Sequence, residues 1–190
     1  PGLVSAVIGS SGGTLTVQSS LTNCACEGSN DGVLEIGSST YTGTVALKMP
    51  TSDVTSNVQL AGGTAKLMNS VATGAAGIKF TSTSTSPAIL DLNGNTFSGA
   101  ITSKDADTYS TVTNTSTSTA TLSSTIELKT NTTVMAAQGS TLILSGQLST
   151  ISYRFNVGAS SSDGAGTVVF SNTTNNISAG LNLRGGTLSV

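Results

Sequence analysis

A chain of 190 residues with 36% hydrophobic, 8% charged and 4% aromatic residues and a net charge of −2 lacks the charge-rich composition of disordered segments. Only seven Lys and Arg are present, too few for counterion release from phosphates to drive nucleic-acid binding. No apolar run approaches the roughly 20 residues of a membrane helix, so insertion of this segment into a membrane is not expected.

The remaining residues are mostly Ser, Thr and Asn, with 22 Gly and 3 Pro. Thr, Val and Ile favour strands, because a branched Cβ packs well on a pleated surface. In chain order, strands are predicted in GGTLTV (Gly12 to Val17), GVLEI (Gly32 to Ile36), GTVAL (Gly43 to Leu47) and GGTAKL (Gly62 to Leu67). They continue in GIKF (Gly77 to Phe80), AILDL (Ala88 to Leu92), STIEL (Ser124 to Leu128) and GSTLIL (Gly139 to Leu144). GTVVF (Gly166 to Phe170) and GGTLSV (Gly185 to Val190) complete the series. Aliphatic residues two apart, such as Leu15/Val17, Leu34/Ile36, Val45/Leu47 and Leu188/Val190, share one buried face. The best local helix candidate, Val134 to Gln138, is short and is ended by Gly139.

The glycines recur at a nearly fixed interval. Gly13 to Gly32 is 19 residues, Gly43 to Gly63 is 20, and Gly166 to Gly186 is 20. A period near 20 with several short strands per repeat predicts an all-β fold, a parallel β-helix or solenoid of about 20 residues per coil. Composition is uniform, so residues 1–190 are read as one solenoid domain of roughly nine coils, on the order of 40 Å long. The architectural alternative is a β-sandwich with donor-strand exchange, in which Leu3 to Val17 is donated to the next subunit.

Residues 164–190, GAGTVVFSNTTNNISAGLNLRGGTLSV, closely resemble the passenger-associated β-strand repeat of bacterial autotransporters. The pattern runs GAGT, an aliphatic strand, an Asn-rich turn, a Gly-containing bend and GGTL with a closing Val. Ala179 stands where that family has Gly, and Ile177 where it has Tyr or Phe. Leu90 to Ile101 and Ala120 to Gly146 are similar in style. The resemblance implies a right-handed β-helix that is secreted and displayed on the surface of a Gram-negative bacterium. The opening Pro1 to Ile8 lacks the basic start and long apolar stretch of a signal peptide, so a secreted form implies a processed or excerpted chain.

Few residues invite chemistry. Cys24 and Cys26 are too close to bond except as a small strained ring or to another copy, so a local disulfide, free thiols and an intersubunit cross-link stay open. With no His, two thiolates do not complete a metal site. The acids are mostly single, and Glu35, Asp91 and Glu127 occupy outward strand positions that predict solvated surface. No acid–base pair can be placed by spacing, so no catalysis and no cofactor are expected. Lys104 to Thr108 (KDADT) reads as a solvated loop tip, without the later ligands of a calcium loop. Tyr41, Tyr109, Tyr153 and Phe97 are candidates for stacking on sugars if they share a face. Asn114, Asn131, Asn172 and Asn176 open Asn-x-Ser/Thr sequons.

The last signal is the recurrence of one motif near both ends. Gly12, Thr14, Leu15 and Val17 match Gly186, Thr187, Leu188 and Val190, and no polar cap covers either set. The expectation is an extracellular structural protein, a homo-oligomeric surface fibre stacked end to end or an autotransporter-like passenger segment. An adhesin or carbohydrate-binding module that recognises host or surface glycans is the alternative.

Overall fold

Aliphatic residues at every second position, with Thr, Ser or a charged residue between them, give short strands with one apolar and one polar face. A computed structural model describes residues 5–17, 33–48, 57–70, 77–103, 109–129, 131–150, 153–159 and 164–190. Its strands lie in three sheets. The first holds β1 (Ser5–Ile8), β3 (Val33–Ile36), β5 (Asn57–Leu60), β7 (Ile78–Phe80), β10 (Ile101–Ser103), β13 (Ile126–Leu128), β16 (Leu148–Thr150) and β19 (Asn176–Ile177), in that order. The second holds β2 (Thr14–Val17), β4 (Thr44–Leu47), β6 (Gly63–Leu67), β8 (Ala88–Asp91), β11 (Tyr109–Asn114), β14 (Asn131–Ala136), β17 (Phe155–Val157) and β20 (Leu181–Leu183). The third holds β9 (Thr96–Phe97), β12 (Ala120–Leu122), β15 (Thr141–Leu144), β18 (Thr167–Phe170) and β21 (Thr187–Ser189).

Each strand pairs in parallel with the equivalent strand one turn away, which makes the chain a parallel β-solenoid. The sandwich alternative is thereby overturned. β1 and β2, the segment that would have been donated, pair in parallel with β3 and β4 of their own chain. The segment from Asn131 to Ala136 is a strand, and with it most of the short helix candidate.

A turn takes roughly 23 residues, longer than the predicted 20. Two of the three glycine spacings are true turns, since Thr44 pairs with Thr64 and Thr167 with Thr187. Thr14, however, pairs with Thr44, thirty residues on, and Thr64 with Ile89. Corners between sheets therefore absorb the variation, while the strands keep their register. Two sheets of eight strands replace the expected nine coils and span about 34 Å at ~4.8 Å per step.

Glycine is required where one turn passes closely over the next. Gly63 has φ +66°, and a Cβ there would lie 2.6 Å from the Gly43 carbonyl oxygen. Gly186 repeats the arrangement, with φ +70° and a Cβ position 2.4 Å from the Gly166 oxygen. The residue after each glycine then donates its backbone N–H to the turn below, Thr64 to Gly43 at 3.1 Å and Thr187 to Gly166 at 3.0 Å. The recurrent Gly-Thr step is thus the point at which successive turns close on each other.

The interior is made of ladders. In the second sheet Leu15, Val45, Ala65, Leu90, Val112, Val134, Val157 and Leu183 stand in one column. The third sheet contributes Phe97, Leu122, Leu144 and Phe170. Phe155 of the second sheet meets Phe170 of the third edge to face, with centroids 5.9 Å apart. Each fully buried side chain of this kind contributes about 1.5–3 kcal/mol, so one column across the stack outweighs any single polar contact.

Candidate functional site

The two copies of the predicted motif occupy opposite ends of the stack, β2 at one and β21 at the other, but in different sheets. Gly12, Thr14, Thr187 and Val190 are exposed, and Val17 and Leu188 are partly buried against the core. In-register stacking on a further turn would therefore bring β20, not β21, over β2. The apolar column of the second sheet makes the point in numbers. Its six inner rungs are at most 1% exposed, whereas Leu15 is 40% exposed and Leu183 53% exposed. Beyond the last turn, Phe170, Ile177, Leu181, Leu188 and Val190 line an open apolar hollow.

Asp91 departs from the solvated position expected of it, being 2% exposed. It faces outward on β8, but the corner of its own turn and that of the next fold over it. Its Oδ1 accepts from the backbone N–H of Asn93 at 2.9 Å and of Thr115 at 3.1 Å. Its Oδ2 accepts from the Thr115 hydroxyl at 2.5 Å and pairs with Lys66 Nζ at 3.4 Å. A carboxylate so fully engaged holds two corners together and has no lone pair left to offer a substrate.

Glu35 and Glu127 are partly exposed, on the outward column of the first sheet. They are separated by four strand steps, about 19 Å at ~4.8 Å each. Glycosidic carboxylate pairs stand roughly 5–9.5 Å apart, so these two do not form one. Their neighbours in the column are Val7 and Gln59 for Glu35, and Thr102 and Ser149 for Glu127. Cys24, Cys26, Gly32 and Lys104 to Thr108 lie outside the described residues. Among the described residues no helix is long and apolar enough to cross a membrane.

The sequon asparagines divide by environment. Asn114 is fully buried and is a corner post linking three turns. Its Nδ2 donates to the Ser118 and Thr141 carbonyls at 2.8 Å each, while its Oδ1 accepts from Gly94 N at 2.8 Å and Ser116 N at 3.2 Å. That leaves nothing for a glycan to attach to. Asn172 likewise donates to the Ser145 carbonyl at 3.2 Å and accepts from Thr174 N at 2.8 Å. Asn176 is exposed and Asn131 half-buried.

The outward face of the second sheet carries a feature that residue-by-residue reading missed. Thr111, Thr133, Asn156 and Asn182 form one column across β11, β14, β17 and β20. Beside it Tyr109 pairs with Asn131, and Arg154 flanks β17 on the next turn. Together with Arg184 these residues, Asn182 excepted, line a groove of about 310 Å³. Arg154 also lines an adjoining hollow with Gly180 and Asn182, so the depression continues past it. Arg154 and Arg184 are the only arginines of the chain, and both are exposed. Among the described residues neither forms a salt bridge. The signal available in the sequence was that both arginines fall in the last 37 residues, but only the strand register places them on one groove. Of the four aromatics, Tyr109 lies in this groove, Phe97 is in the core, Tyr153 is half-buried, and Tyr41 lies over Gly9 at the other end of the stack.

Comparison of the chain with protein-family models, curated proteins and solved structures gives no match.

Proposed function

We propose that this chain is a structural rod segment of an extracellular surface fibre, extended by stacking a second copy onto its open end turn. The observation that carries the reading is the column from Leu15 to Leu183, apolar at every rung and solvent-exposed only at its two ends. An uncovered end strand offers both an apolar rung and unpaired backbone groups, which is the template for addition of another strand. Because Leu15 and Leu183 belong to one column, simple translation along the stack brings Leu183 of one copy over Leu15 of the next. Residues 164–190, with their resemblance to an autotransporter passenger repeat, are consistent with display outside the cell. Sedimentation velocity and negative-stain electron microscopy across a concentration series test the proposal. Linear assemblies that lengthen with concentration are expected, and a monomer at every concentration would rule out the fibre.

The groove on the second sheet favours a second reading, that of a glycan-binding module of the adhesin class. Hydroxyl and amide side chains on successive turns both donate and accept hydrogen bonds, as sugar hydroxyls require, and Tyr109 adds a half-exposed ring for a sugar face. Binding of any oligosaccharide on a glycan array, lost when the groove is altered, is the result expected of this reading.

A further inference from the structure

We infer that the groove formed by Tyr109, Thr133, Asn156, Arg154 and Arg184 selects acidic glycans, chains bearing uronate carboxylates or sulfate esters. The inference rests on the glycan-binding reading and narrows it to a ligand class. Its basis is the pairing of two unlike features on one surface. The wall is a regular array of neutral donors and acceptors, Thr111, Thr133, Asn156 and Asn182, repeated at each turn about 4.8 Å apart. Such an array suits a repeating chain of hydroxyls and confers little preference for charge.

The arginines supply that preference. In a chain with seven cations and nine acids, the only two guanidinium groups line the same groove, with no carboxylate in salt-bridge range among the described residues. Two of the four described lysines do have carboxylate partners, Lys66 pairing with Asp91 at 3.4 Å and Lys129 with Glu127 at 3.6 Å. A guanidinium presents planar, paired N–H donors matched to the two oxygens of a carboxylate or the oxygens of a sulfate, a fit that an ammonium does not provide. Asn182 Nδ2 donates to Asn156 Oδ1 at 3.3 Å, which holds the amide wall in place between the arginines. The neighbouring depression, which shares Arg154, gives an extended chain a path to continue along the face. Two cations are too few to hold a nucleic acid at physiological salt, so a polyanion of lower charge density and many hydroxyls is the better fit.

The experiment is binding of the whole chain to four immobilised probes: a polyuronate, the same polymer fully methyl-esterified, a sulfated glycan and a single-stranded oligonucleotide. Binding to the polyuronate or the sulfated glycan is expected, and the stronger of the two identifies the acid group. Esterification should weaken binding at least about tenfold, the loss expected when charge-assisted hydrogen bonds go. Arg154→Gln and Arg184→Gln should each do the same on the acidic probe, whereas Lys79→Gln, on the outward face of the first sheet, should not. Far-UV circular dichroism of each variant confirms that the fold is retained. Equal binding of acid and ester overturns the acidic preference and leaves the glycan reading standing. Binding to the oligonucleotide alone, or to no probe, overturns the acidic-glycan assignment, and the glycan array then decides the broader glycan reading separately.

Discussion

Lys66 and Asp91 face each other across one step of the second sheet, with Nζ 3.4 Å from Oδ2, but they do not share the environment equally. The Lys66 side chain is 33% exposed, while Asp91 is enclosed and also accepts from Asn93 N, Thr115 N and the Thr115 hydroxyl. Removing Asp91 therefore strands several donors, while removing Lys66 leaves the carboxylate with its other hydrogen bonds. Asp91→Ala is expected to cost about 3–5 kcal/mol, and Lys66→Ala about 1 kcal/mol or less. Urea unfolding of the two variants checks this. Equal losses would mean that the ion pair, not the corner network, holds Asp91.

The close passage of turns at Gly-Thr steps leads to a second prediction. Gly63→Ala must place a Cβ 2.6 Å from the Gly43 oxygen while keeping φ near +66°, so a loss of about 1–3 kcal/mol or more is expected. Gly12→Ala meets nothing within 4 Å and has no positive φ, and should change stability by about 0.5 kcal/mol or less. Thermal midpoints of the pair decide it. If both variants melt together, the turns are not held at van der Waals contact at Gly63.

Two buried threonines on neighbouring strands should respond in opposite directions to the same substitution. Thr113 is 3% exposed, and its hydroxyl has no hydrogen-bond partner. Thr132 is fully buried, and its hydroxyl lies 2.8 Å from that of Ser110 inside the stack. Thr113→Val removes an unsatisfied polar atom and should be neutral or stabilising by up to about 1 kcal/mol. Thr132→Val leaves Ser110 Oγ without that partner and should cost about 1–3 kcal/mol, part of which Ser110→Ala restores in the double variant. Denaturant titration of all four proteins tests the contrast, and destabilisation by Thr113→Val would show that its hydroxyl is satisfied after all.

The ladders were legible where alternation was strong. Leu34/Ile36 and Val45/Leu47 place their side chains in the core as read, because a period of two leaves one choice of face. Gly43/Gly63 and Gly166/Gly186 marked true turns because the close approach at those steps tolerates no other residue. Strands such as β9 and β19, two residues long, carry no pattern from which a face can be read. The same limit applies to burial that comes from another turn. Asp91 reads as an outward residue on its own strand, and its enclosure is completed by Thr115 at the corner of the following turn. The groove was hidden for the same reason. Arg154 and Arg184 are thirty residues apart, a distance that means nothing until β17 and β20 pair and set the two arginines at opposite ends of adjacent strands, on one groove.

That register also sharpens the assembly question, because it names the residues that would touch. If copies stack in line, the second-sheet column brings Leu183 of one copy against Leu15 of another, continuing the apolar ladder from one copy to the next. Leu15→Lys and Leu183→Glu are each expected to suppress assembly, since either places a charge on an apolar rung that stacking would bury. Neither should disturb the monomer, because both positions are at least 40% exposed. Mixed in equal amounts, the two variants should assemble again in alternating order. The introduced lysine of one then meets the introduced glutamate of the other at one junction, and the unaltered leucines meet at the next. High salt should weaken the charged junction more than the apolar one, shortening the mixed assemblies toward dimers joined through their leucines. Sedimentation velocity at low and high salt reads these outcomes directly. Assembly of either single variant at the unaltered protein's concentration would show that the open ends of this column are not where copies meet.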